Sequence, residues 1–113
     1  MDPEEACRIL WEKWGAYDGV HTINNAAACA AMVLISDGDY EKAITSAVLC
    51  GWDTDCNGAT VGSILGMMLG AKQIPSCWQE GFGGVLRTSI AGYYEVTVEQ
   101  LVQKTIRLIQ SHK

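Results

Sequence analysis

Two carboxylates near the middle of the chain, Asp53 and Asp55, stand one residue apart where a loop gives way to a helix. Aspartates in this arrangement can direct their oxygens to a common hard cation such as Mg²⁺ or Ca²⁺, and the junction also frees backbone carbonyls. The structural alternative is that one aspartate only caps the helix and interacts favourably with its dipole. The spacing alone leaves both interpretations open.

A stripe of glycines follows the two aspartates. They recur every four residues, at Gly58, Gly62, Gly66 and Gly70. On a helix they would form one slowly rotating face without side chains, and each would cost roughly 0.5–1 kcal/mol relative to alanine unless another helix or a ligand approached closely. We therefore predict a central helix over residues 55–71. The alanine-rich helix predicted over residues 23–35 is the first candidate for its partner.

Helix-start signals recur along the rest of the chain, and no alternating run of useful length indicates a long strand. Residues suited to cap helices are Asp2, Thr22, Asp39 and Thr97. Residues 85–90 have no clear period and could be extended or form a helical turn. The sequence predicts an all-α fold, a single helical domain over residues 1–113 with five to six helices packed around the glycine-striped one.

Composition and charge exclude several classes of function. The formal net charge is −5, and the eight Lys and Arg residues are scattered, so general nucleic-acid binding is not expected. The longest mostly apolar stretch, residues 26–35, is too short to span a bilayer, and no signal peptide is evident, which predicts a cytoplasmic protein without membrane contact. Five cysteines without a CxxC pair indicate free, mostly buried thiols.

Several runs of the sequence carry a family resemblance. Gly51-Trp-Asp-Thr-Asp opens the small-residue helix, Val20-His-Thr-Ile-Asn-Asn lies upstream, and Leu86-Arg-Thr-Ser-Ile-Ala-Gly lies downstream. Taken in their order along the chain, these runs resemble the C-terminal part of the ADP-ribosylglycohydrolase family, the relatives of the dinitrogenase-reductase-activating glycohydrolase. The likeness covers roughly residues 20–109. A Gly-x-Asp-Thr-Asp motif that opens such a helix is fairly specific, whereas a bare Asp-x-Asp would not be.

The resemblance implies a helical enzyme that hydrolyses the glycosidic bond between ADP-ribose and an acceptor, commonly a protein side chain, with a pair of Mg²⁺ ions. Asp53 and Asp55 would then be metal ligands. The next position in the family is usually Thr or Ser, whose hydroxyl also reaches a metal, but here it is Cys56. A thiol is a soft ligand that suits Mg²⁺ poorly, so we expect either that water replaces Cys56 as a ligand or that one of the two metal positions is weak. No catalytic residue is assigned.

Three residues are candidate contacts to the substrate. His21 lies at a loop-to-helix junction, and Asn57 and Gly58 lie in the first turns of the central helix, where a helix N-terminus favours anions. His21 could instead be solvated or support a helix cap. Helix packing is the alternative explanation for Gly58.

The resemblance also implies that the chain is the C-terminal portion of a larger catalytic domain. Catalytic domains of the family are much longer, and their N-terminal half brings a second acidic cluster that completes the metal site. Besides an ADP-ribosylated substrate, the expected partner is therefore a companion N-terminal segment or a second copy in a homodimer. The alternative functions are a non-catalytic module that binds ADP-ribose or a protein, and an inactive fragment.

Overall fold

Six helices and one two-stranded sheet make up the regular elements in a computed structural model of the protein, which describes residues 1–112. They are α1 (Pro3–Trp14), α2 (Thr22–Ile35), α3 (Tyr40–Leu49), α4 (Thr54–Leu69), α5 (Cys77–Glu80), β1 (Val85–Arg87), β2 (Glu95–Thr97) and α6 (Val98–Ser111). The predicted all-α class is confirmed. Within these residues, no helix is both long enough and apolar enough to cross a membrane.

The chain divides into two compact units. The first covers Met1–Ile74 and contains α1 to α4, and the second begins at Pro75 and contains the remaining elements. A single helical domain that belongs to a larger catalytic domain stays a prediction.

The helices begin close to the residues predicted to cap them. The side chains that accept a hydrogen bond from the first turn of α1, α3 and α6 are those of Asp2, Asp39 and Thr97. The cap of α2 lies one residue earlier than predicted, because His21 rather than Thr22 occupies the N-cap position. The imidazole Nδ1 of His21 accepts a hydrogen bond from the N–H of Ile23 at 3.2 Å.

The glycine stripe of α4 faces α3, so the prediction that the alanine-rich α2 would be its partner was wrong. A Cβ at Gly58 would lie 3.3 Å from Cγ2 of Val48, and one at Gly62 would lie 3.2 Å from Cδ1 of Ile44. Branched side chains of α3 thus fill the space above the glycines. Bulky side chains on the facing helix occupy the space beside the glycines, which keeps this part of the interior close-packed.

The core of the first unit lies where α2, α3 and α4 meet. Its fully buried apolar residues are Ala28 and Met32 of α2, Ala43 and Ala47 of α3, and Val61 and Leu65 of α4. Alanines on two of the three helices allow close approach of the backbones, and the longer side chains fill the space that remains. α1 adds Ala6 and Cys7 to this cluster.

The second unit is built on a short antiparallel sheet. β1 and β2 pair with Leu86 opposite Val96, so residues 85–87, which the sequence left undecided, are extended. Val96 is the only buried residue among residues 75–112. Much of the apolar face of α6 is exposed, with Val102 and Ile109 at 47% and 58% of their full accessibility.

Two glycines of the stripe are expected to respond oppositely to substitution. A Cβ at Gly66 would meet its nearest atom, Cδ1 of Ile74, at an ordinary 3.5 Å, so Gly66→Ala should raise the free energy of unfolding by about 0.5–1 kcal/mol through helix propensity. At Gly62 the space is occupied by Ile44 and Tyr40, so Gly62→Leu should lower the free energy of unfolding by about 1–3 kcal/mol through overpacking. Urea denaturation measures both changes, and stabilisation by Gly62→Leu would contradict this packing.

Candidate metal centre

The N-terminus of α4 brings three candidate ligands together. A carboxylate oxygen of Asp53, a carboxylate oxygen of Asp55 and the sulfur of Cys56 all lie within 4.8 Å of one another. Asp53 is half-buried, whereas Asp55 and Cys56 are exposed. Asp53 occupies the N-cap position, but within the described residues its side chain makes no capping hydrogen bond to the helix. Its carboxylate is therefore not held by the amides of the first turn.

A tight turn before α4 places these side chains. Gly51 and Trp52 both have positive φ angles, 82° and 58°, and this conformation is unfavourable for a residue as bulky as tryptophan. The indole of Trp52 stacks on that of Trp11 with ring centroids 4.7 Å apart. The Nε1–H of Trp11 also donates a hydrogen bond to the carbonyl of Cys50 at 2.7 Å. α1 thus anchors the turn through one tryptophan.

The side chain of Asn25, in α2, fixes the backbone at the start of α4 through hydrogen bonds. Its Oδ1 accepts hydrogen bonds from the backbone N–H of Asp53 at 3.1 Å and from Nδ2 of Asn57 at 2.7 Å. Its Nδ2 donates to the carbonyls of Gly19 and His21, each at 2.8 Å. One amide therefore joins the loop before α2, the first turn of α2 and the first turn of α4. Sequence reasoning did not select Asn25 for this role, although a polar residue in an alanine-rich helix was a usable signal.

Asn57, a predicted substrate contact, is a buried member of this network. Its side chain is engaged at both ends, because Nδ2 donates to Asn25 and Oδ1 accepts from the thiol of Cys29 at 3.4 Å. Only 3% of the residue is exposed. Asn57 supports the geometry around Asp53, and a direct contact with substrate stays a prediction.

The other two predicted substrate contacts, His21 and Gly58, take part in helix capping and helix packing. The ring of His21 packs against Tyr17 with centroids 4.7 Å apart, and its Nδ1 caps α2, the alternative role that the sequence suggested. Gly58 faces Val48 of α3, in agreement with its packing alternative. A role for either residue in substrate binding stays a prediction.

A groove of about 510 Å³ runs between α2 and α4 beside the ligand cluster. Asp53 and Cys56 line its polar end, and Ala26, Ala30 and Ile64 line its apolar part. The alanines leave the groove open because they project no long side chains into it. Its volume is in the range of pockets that hold small molecules.

The thiol of Cys56 interacts directly with the acidic pair. A hydrogen bond to the Asp53 carboxylate, followed by the negative charge of that carboxylate, raises the pKa of Cys56, and Asp55 adds to the effect. In the core, burial and then a hydrogen bond to Cys7 raise the pKa of Cys50 to about 12. Cys56 is thus an exposed thiol whose environment is dominated by carboxylates.

Thiol labelling should distinguish the cysteines. An alkylating reagent is expected to modify the exposed Cys56 and Cys77 in the folded protein, and to reach the buried thiols of Cys7, Cys29 and Cys50 only on unfolding. Because Asp53 raises the pKa of Cys56, Asp53→Asn should increase the thiolate fraction and speed labelling of Cys56 several-fold at neutral pH. Mass spectrometry would follow both sites, with Cys77 as the internal control. An unchanged rate at Cys56 would contradict the contact with Asp53.

The three donors fit a divalent cation unequally. The two carboxylates supply the anionic oxygens that Mg²⁺ and Ca²⁺ prefer. The thiol of Cys56 does not suit either ion, because soft sulfur ligands favour other metals. Asp53 and Asp55 are therefore the residues that would hold the Mg²⁺ expected from the family resemblance, and of the two Asp55 is exposed to solvent.

Comparison of the sequence with models of protein families matches residues 2–111 to ADP-ribosylglycohydrolase. This match includes α1, which lies outside the runs that carry the resemblance in the sequence. Searches of curated proteins and of solved structures gave no match.

Proposed function

Because the chain belongs to the ADP-ribosylglycohydrolase family, we propose that it hydrolyses the glycosidic bond between ADP-ribose and a protein side chain, with a divalent cation at the N-terminus of α4. The observation that carries this proposal is the convergence of Asp53, Asp55 and Cys56 within 4.8 Å beside an open groove. Helix capping alone does not account for the adjacent groove, and within residues 1–112 the Asp53 side chain makes no capping hydrogen bond to α4.

The residues of this chain would bind and position the reacting groups. A bound cation would orient the ribose hydroxyls and stabilise charge as the glycosidic bond breaks. Asp53 and Asp55 would hold that cation, and Asn25 fixes the backbone of Asp53 by accepting a hydrogen bond from its N–H. The groove between α2 and α4 provides the space for part of the substrate.

Two aspartates supply only part of the ligand set for a dinuclear centre. We propose that the remaining acidic ligands come from a companion N-terminal segment, as the family resemblance implies, with a second copy of the chain as the alternative source. Half a ligand set binds metals weakly, because the missing ligands must be replaced by water. Turnover by the chain alone should therefore be slower than turnover after addition of the companion segment.

Turnover of defined peptides tests the proposal. Peptides that carry ADP-ribosyl-arginine or ADP-ribosyl-serine are incubated with the chain, without a divalent cation and with either Mg²⁺ or Zn²⁺, and release of ADP-ribose is followed by chromatography. We expect release that depends on the ion and is abolished by Asp55→Asn. Glu41→Gln, which neutralises an exposed carboxylate on α3, is the charge-matched control and should retain the activity.

The same experiment separates the alternatives when thermal stability is measured in parallel. Stabilisation by ADP-ribose without hydrolysis would replace the hydrolase by a binding module. The absence of both stabilisation and hydrolysis, with the companion segment present, would contradict the proposed function.

A further inference from the structure

Cys56 makes the ligand cluster chemically different from a site built only of oxygens. Its sulfur lies within 4.8 Å of carboxylate oxygens from both Asp53 and Asp55. Two bonds of ~2.0–2.3 Å to one zinc ion can span at most about 4.5 Å, so small side-chain rotations bring all three donors within reach of a common ion. Asp55 and Cys56 are exposed and have the freedom to make those rotations.

The composition of the cluster points to a particular class of cation. Soft thiolate ligands favour ions such as Zn²⁺, whereas Mg²⁺ prefers oxygen ligands and retains its water. Three protein ligands with one open position is also the arrangement found in catalytic zinc sites. Among residues 1–112, no other group of three His, Cys, Asp or Glu side chains lies this close together.

We propose that this site selects a thiophilic divalent cation, of the Zn²⁺ and Co²⁺ class, over Mg²⁺. This inference rests on the proposed function. Asp53 and Asp55 provide carboxylate oxygens, and Cys56 provides a thiolate whose proton passes to solvent when the ion binds. The cysteine therefore changes which ion the site uses, without removing the site. The buried thiols of Cys7, Cys29 and Cys50 take no part.

Cobalt is the probe that tests this proposal, because a cobalt–thiolate bond gives a charge-transfer absorption that cobalt–oxygen bonds lack. The full chain is titrated with Co²⁺, and its absorption spectrum and thermal stability are recorded. The thermal measurement is repeated with Zn²⁺ and Mg²⁺. We expect the charge-transfer band, and binding of Zn²⁺ and Co²⁺ at least about tenfold tighter than binding of Mg²⁺, since thiolate coordination adds to affinity for soft ions only.

Two cysteine variants provide matched controls. Cys56→Ser is expected to abolish the band, weaken Co²⁺ and Zn²⁺ binding about tenfold or more, and strengthen Mg²⁺ binding, because the hydroxyl is a hard donor. Cys77→Ser removes the other exposed thiol and should leave the charge-transfer band and the affinities for Co²⁺, Zn²⁺ and Mg²⁺ unchanged. Circular dichroism checks that both variants keep the helical fold.

The outcomes separate this proposal from the proposed function. Equal binding of Mg²⁺ to the wild type and to Cys56→Ser, without a charge-transfer band, would overturn the preference for thiophilic ions and leave the carboxylate site standing. A band that survives Cys56→Ser would place the cobalt on another cysteine and overturn the assignment. If no divalent cation binds either protein, both the ion preference and a cation site formed by this chain alone are overturned.

Discussion

Replacement of Asn25 by leucine is expected to lower the free energy of unfolding by about 2–4 kcal/mol. The change removes four hydrogen bonds and leaves the Asp53 N–H and Nδ2 of Asn57 without their acceptor. Asn57 is only 3% exposed, so water cannot readily replace the lost partner. Each buried polar group left unpaired costs about 1–3 kcal/mol, and because Asp53 is only half-buried we expect a loss in the lower part of the summed range for the two groups. Chemical denaturation with urea measures the effect.

The neighbouring Asn24 provides the matched control. Asn24 is fully buried, its Nδ2 donates only to the carbonyl of Asp18, and its Oδ1 has no hydrogen-bond partner within the described residues. Asn24→Leu removes one hydrogen bond but also removes an unpaired buried acceptor, so the two effects should nearly cancel to within about 1 kcal/mol. Equal destabilisation by both variants would mean that the Asn25 network contributes nothing beyond the shape of the side chain.

Neutralising Asp53 should remove most of the divalent-cation affinity of the site. In Asp53→Asn the side chain keeps its shape but loses the charge that attracts the ion, and we expect affinity to fall by about 100-fold or more. An ion at 100 times its dissociation constant stabilises the folded state by about 2.7 kcal/mol, so nearly all of that stabilisation should disappear. Melting temperature as a function of Zn²⁺, Co²⁺ and Mg²⁺ concentration measures the loss.

Two comparisons make this result specific to the site. Glu41→Gln removes an equal charge from an exposed position on α3 and should leave the ion-dependent stabilisation intact. Without added ion, Asp53→Asn should change stability little, since within residues 1–112 the Asp53 side chain makes no capping hydrogen bond and the Asn side-chain oxygen can still accept from the exposed Cys56 thiol. An ion-induced shift that persists in Asp53→Asn would place the cation elsewhere in the molecule.

The family match includes α1, the first helix of the chain. This helix lies outside the runs that carry the resemblance in the sequence, yet residues 2–111 match the family. Its Trp11 contacts both Trp52 and the carbonyl of Cys50 in the turn that precedes the ligand cluster. The helix thus belongs to the framework of the site, even though its own acidic residues lie outside the ligand cluster.

Local features of this protein were determined by the sequence itself. Asp2, Asp39 and Thr97 cap helices because each can reach an amide within the next three residues. Asp53, Asp55 and Cys56 converge for a similar reason, since they lie within one turn at the start of α4. Interactions of such short range depend on neighbouring residues, and a pattern of residue types is enough to predict them.

The remaining features depend on how distant segments pack, and only the tertiary structure decided them. Asn25 reaches the Asp53 N–H across 28 positions of the chain, and no local pattern distinguishes it from Asn24 beside it. The glycine stripe indicated close approach of another helix, but the choice of α3 over α2 depended on which side chains could fill the space. Packing depends on the volumes and contacts of all the helices together, whereas a sequence motif reflects only residues that are close along the chain.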